Sequence, residues 1–89
     1  MNLIDYLEKV EDKVTFIEFV NALIEERSQA ERIEQQGIEK YKSGTALGWH
    51  NTNLEGFLQS ALVWLVDSGK DEISWKLMAE FLYSGKIYE

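Results

Sequence analysis

The sequence predicts an all-α fold: one small compact bundle of about four helices, at approximately residues 3–10, 15–36, 53–67 and 75–84, with a long loop at 37–51. Three observations carry this. In each stretch apolar residues recur at spacings of three and four, the period of a helix face. Residues able to cap a helix stand at each start. The one stretch that could pass for a strand, Val14 to Val20, reads better as helix.

Leu3, Ile4, Leu7 and Val10 share one helical face. Asn2 can cap this first helix, and Asp5 falls in its first turn, where a negative charge suits the dipole. Glu11-Asp12-Lys13 interrupts it. As a strand, residues 14–20 would set Glu18 on the same face as Val14, Phe16 and Val20. As a helix they bring Phe16, Phe19, Val20, Leu23 and Ile24 together and leave Glu18 outside. Asp12 or Thr15 caps this second helix. After Ile24 its stripe thins to Ala30 and Ile33 among charged residues, so the second half either projects past the core or frays.

Residues 37–51 hold three glycines. Tyr41, Leu47 and Trp49 are expected to tack this loop to the core, and loops of such length are often functional or partly disordered. The third helix is the longest apolar pattern and is expected to be central. Thr52-x-x-Glu55 forms a capping box at its start, with Asn51 the alternative cap. Leu54, Phe57, Leu58, Ala61, Leu62 and Leu65 make its face, widened by Trp64 and Val66, so cover on two sides is expected. Gly56 marks either a close approach or simple tolerance on an exposed face, and Gly69 suits the left-handed position after the helix. Ser74 can cap the last helix. Trp75, Met78, Ala79 and Leu82 form one face, and Leu77 and Phe81 lie towards the other. Cover for the second face is expected from the tail, residues 85–89, or from a second subunit.

Eighty-nine residues with 45 % apolar content make a single helical domain, 1–89, with one core. A domain this small buries a modest share of its surface, and dimerisation would bury more. The absence of cysteine excludes disulfides, thiolate metal sites and cysteine catalysis. No apolar run is long enough to span a bilayer, and the first residues lack a secretory pattern, so no membrane association and a cytoplasmic location are expected. Net charge is −7, with ten acids and five bases in residues 1–40. That balance disfavours nucleic acid and can steer a basic partner.

Trp49-x-Asn51-x-x-Leu54-Glu55-x-Phe57-Leu58, then Trp64, then Trp75-x-x-Met78-Ala79-x-x-Leu82 and a closing Gly85-Lys-Ile-Tyr-Glu89 resemble a family of small bacterial proteins, a domain of unknown function. Its pattern runs W-x-N-x-x-L-x-x-F-L, a tryptophan, a Trp-initiated helix and a terminal K-I-Y-E. Phe16-Ile-Glu-Phe-Val resembles its first long helix. The likeness covers roughly residues 14–89 and implies a small stand-alone domain, with no activity or site attached. The connection at 68–74 is shorter than that pattern leads one to expect.

No catalytic set emerges, and no enzyme activity, cofactor or metal site is expected. His50, the only histidine, sits just before a helix start, where its charged form meets the positive helix end. Glu18, Glu25 and Glu26 could suggest paired carboxylates, but paired acids need burial to split their pKa values, and these positions read as surface. Phosphate loops, nucleophile elbows and dinucleotide fingerprints are missing. The tryptophans read first as core. The functional alternative is a partner-binding groove at the loop–helix junction lined by Tyr41, Trp49 and Asn51, with Glu18 and Glu25 as acidic contacts. The expected function is an acidic module that binds or regulates a basic protein, as small immunity-type proteins do. The alternatives are a self-associating structural protein and a small-ligand binder with a pocket near Trp49.

Overall fold

The computed structural model describes residues 2–36, 46–51 and 53–87. Four α-helices appear in order: α1 Leu3–Glu8, α2 Lys13–Gln36, α3 Leu54–Ser68 and α4 Trp75–Ile87, with a 3₁₀ turn at Ala46–Gly48. No strand occurs among the described residues. The fold is the small all-α bundle that the periodicity predicts. No helix among the described residues is long and apolar enough to cross a membrane.

The caps explain most of the boundaries. Asn2 Oδ1 accepts from the Asp5 amide at 3.0 Å, and the Asp5 carboxylate accepts from the Asn2 amide, a complete capping box. α1 stops at Glu8, two residues short of the expected end. Val10 is still buried, reached through a turn in which its amide donates to the Leu7 carbonyl. At the start of α2 the Asp12 carboxylate accepts from the Thr15 amide at 2.9 Å, and the Thr15 hydroxyl accepts from the amides of Glu11 and Asp12. Both expected caps therefore act together.

The cap of α3 differs from expectation. Asn53 holds that position, its side chain accepting from the Gly56 amide at 2.6 Å. Thr52 lies outside the described residues, and Asn51 is turned to another task described below. Gly56 is half-buried under this cap: a Cβ there would stand 2.9 Å from Asn53 Oδ1, so the close approach is by a side chain of its own turn. Gly69 takes the left-handed conformation at φ 67° and ends the helix as predicted. Ser74 Oγ accepts from the Leu77 amide and caps α4.

The core is organised by α2. Phe19, Leu23 and Ala30 form its buried stripe, joined by Leu3, Val10, Trp49 and Ala79. The charged second half of α2 neither frays nor leaves the body, because Ala30 is fully buried and Ile33 packs against the core. α3 is not the central helix. It packs chiefly on α4, and of its side chains only Ala61 is fully buried. Leu54, Leu58, Leu62 and Val66 stand exposed. The periodicity records that an apolar arc exists but not how many neighbours cover it. The molecule spans 42 × 27 × 16 Å, too thin to wrap α3 on two sides.

α4 runs to Ile87, three residues beyond the expected end. Residues 85–87 are thus a last helical turn and not a covering tail. Gly85 allows the close approach of α3, since a Cβ there would lie 2.9 Å from the Phe57 ring and from its carbonyl oxygen. Trp75 meets Phe16 of α2 at a centroid distance of 5.3 Å. The Lys76 ammonium donates to the Leu7 carbonyl at 2.7 Å and closes the end of α1.

Candidate functional site

Three residues that follow the 3₁₀ turn converge on the end of α4. The backbone amides of His50 and Asn51 donate to the Lys86 carbonyl at 3.0 and 3.3 Å, and Asn51 Nδ2 donates to the Gly85 carbonyl at 3.0 Å. These carbonyls belong to the last turn, where no intrahelical donor remains. The turn that delivers them is tight: Leu47 and Gly48 both have positive φ, 55° and 80°. Leu47 remains substantially exposed, so of the two expected anchors among the described residues it is Trp49 that ties this segment to the core.

Trp49 is buried, stacks on Phe57 with centroids 6.2 Å apart, and donates its indole N–H to Glu26 Oε1 at 3.0 Å. That oxygen also holds the Lys86 ammonium, itself buried, at 2.5 Å. The ammonium lies 5.7 Å from the Trp49 ring and 5.9 Å from the Tyr83 ring, and the Arg27 guanidinium stands 5.2 Å over Trp49. Arg27 is held in turn by a two-bonded pair with Glu34. One carboxylate thus joins α2, the loop and α4.

Trp49 and Asn51 also edge a shallow depression of about 380 Å³ with Leu23, Ile24, Leu54 and Phe57. A groove at the loop–helix junction therefore exists, though the polar atoms of both residues are engaged within the fold. Tyr41 lies outside the described residues. Glu18 and Glu25 are not part of this depression. They sit on the opposite side of α2, both exposed, and line a cleft of about 620 Å³ between α1 and α2. Asn2, Tyr6, Asn21, Glu26, Gln29 and Leu47 contribute to the same cleft, and among the described residues no lysine or arginine lines it. The four expected residues that the structure describes therefore divide between two surfaces, and Glu26 lines the cleft while bonding to Trp49 and Lys86.

Glu26 reads from the sequence as a surface acid, and Lys86 escapes that reading altogether. Glu26 stands in a charged run, and Lys86 in what reads as a tail. A signal for Glu26 is present, since Phe19, Leu23, Glu26, Ala30 and Ile33 follow the 4-3-4-3 spacing of the buried stripe. A carboxylate at a stripe position needs a partner.

Among the described residues no three side chains of His, Asp or Glu are grouped to hold a metal ion. His50 is exposed at the rim of the loop. Comparison with family models, curated proteins and solved structures returns no match in any of the three.

Proposed function

We propose that this chain is a small acidic interaction module, not an enzyme, that binds and thereby neutralises or regulates a basic protein partner. The observation that carries this reading is the cleft between α1 and α2, where Glu18, Glu25 and Glu26 meet Tyr6 and Leu47 with no base in the lining among the described residues. Exposed acids at the mouth attract a cationic segment, and the apolar edges of Tyr6 and Leu47 give its side chains a surface to rest on. Membership of the bacterial family with the W-x-N and K-I-Y-E motifs belongs to the same proposal. In its favour, Trp49 and Asn51 from the first motif meet Gly85 and Lys86 at the start of the second.

The test is capture of the intact protein's partner at low and high salt, read by mass spectrometry, beside the double variant Glu18→Lys, Glu25→Lys. The expected result is one stoichiometric, basic partner whose association slows as salt rises and which the double variant no longer retains. Binding that ignores salt, or retention by the double variant, overturns the proposal.

A further inference from the structure

The face of the molecule opposite the acidic cleft is apolar and open. α2 and α3 both rest on α4 and scarcely touch each other, which leaves a channel between them. One end is the depression at Ile24, Leu54 and Phe57. The other is a depression of about 410 Å³ whose lining, among the described residues, is entirely apolar and includes Phe16, Leu65, Ile73, Met78 and Phe81. Along one wall Leu54, Leu58, Leu62 and Val66 follow at intervals of four and stand up as a ridge, and Ile17 and Ile24 share the facing side of α2. Ile24, Leu54, Leu62 and Val66 are 56–71 % exposed, and Ile73 is 87 % exposed. A contiguous surface of this kind on a small domain marks a place where something binds.

We infer that the occupant is a second copy of this chain, and that the protein is a two-fold dimer through α3. Shape supports this. The ridge borders its own groove, so one copy's ridge enters the other's channel and the reverse contact follows by symmetry, as a self-complementary two-fold interface requires. The four helices then lie in the order α2, partner α3, α3, partner α2. Area supports it as well. With about 100 Å² for each fully buried aliphatic side chain, the exposed part of this face amounts to roughly 500 Å² of apolar surface per copy. At the apolar share of about 65 % found in homodimer interfaces, that corresponds to about 800 Å² per partner, enough for a stable complex. Charge is compatible. Among the described residues Arg27 is the one charged residue lining either depression, and Glu34 pairs it. Glu18 and Glu25 point away, so the dimer carries two acidic clefts on its outer sides.

The test is the solution mass of the full chain by sedimentation equilibrium or light scattering, at concentrations from about 1 to 200 µM and at low and high salt. The expected mass is twice the 10.3 kDa of one chain. Added salt leaves the dimer unchanged or tightens it, because it screens the repulsion between two chains of charge −7, whereas partner capture at the acidic cleft weakens. Leu62→Asp raises the dimer dissociation constant about 100-fold or more while helical circular dichroism is retained. Val66→Asp repeats the measurement at a still more exposed position, should the first variant fold poorly. Glu18→Lys with Glu25→Lys leaves the mass at twice one chain, so loss of the partner and loss of the dimer are separable. A one-chain mass at every concentration overturns the inference, as does an open series of larger species or a dimer indifferent to both aspartate variants.

Discussion

Glu26 Oε1 lies 2.5 Å from the Lys86 ammonium and accepts the Trp49 indole proton at 3.0 Å. This pair fastens the end of α4 to the middle of α2 with the loop clamped between. The two partners differ in their surroundings. The Lys86 side chain keeps 8 % of its surface and that of Glu26 keeps 22 %, so removing one is not equivalent to removing the other.

Glu26→Ala strands a buried ammonium and an indole N–H together. The expected loss is about 2–4 kcal/mol of unfolding free energy, a large share of the total for a domain of this size. Lys86→Met removes the charge that is harder to solvate and leaves Glu26 bonded to Trp49 with access to water, so its loss is about 1 kcal/mol. Urea titrations of the two variants check the order. Equal losses would show that the ion pair is not what holds α4 to α2.

Gly85→Ala tests the contact between α3 and α4. Alanine is the better helix former by about 1 kcal/mol, but its Cβ meets the Phe57 ring and carbonyl at 2.9 Å. The backbone carbonyl cannot swing aside, and the helices must part. The expected net loss is about 1–3 kcal/mol, a melting temperature lower by roughly 5–20 °C. Gly56→Ala is the contrast, since its neighbour at 2.9 Å is the movable Asn53 side chain, and its effect is smaller. A thermal melt in which Gly85→Ala is neutral or stabilising removes the close-approach argument.

Asp12 gives the fold a readable acid response. Its carboxylate lies below the ordinary value of 3.8, chiefly because the Thr15 amide donates to it and then because the Thr15 hydroxyl does. A pKa lowered in the folded state stabilises in full above the unfolded value and is lost as pH falls through the folded one. Asp12→Asn keeps an acceptor at the cap but cannot ionise. The advantage of the native chain over this variant is therefore constant from pH 7 to about 5 and shrinks below about 4. Melting temperatures of both proteins across this range check the trend, and an advantage that grows on acidification contradicts it.

Helix number, order and approximate bounds were readable because they rest on local physics. Asn2, Asp12, Thr15, Gly69 and Ser74 act within a few residues of themselves, and a cap needs no knowledge of the rest of the fold. The α3 cap was misread by one position because Thr52 and Asn53 are both competent acceptors, and what separates them is where the chain enters from the loop. The candidate site was readable only in part. Trp49 and Asn51 were singled out together, and they do act together, but on the carbonyls and carboxylate of residues 34 or more positions and 23 positions away in sequence. Glu18 and Glu25 share a face by simple helical spacing. That they form one wall of a cleft depends on where α1 lies.

By itself the sequence determined that this is an acidic, all-helical chain, with α2 amphipathic and α3 richer in apolar residues than a one-sided helix needs. Periodicity is written residue by residue and survives any arrangement of the helices. Only the tertiary structure decided that α2 and not α3 is central, that Glu26 and Lys86 are partners, and that Leu54, Leu58, Leu62 and Val66 face outwards. Those outcomes depend on which helices pack together. A carboxylate or a leucine has the same letter whether its neighbour is a buried ammonium, a packed helix or water.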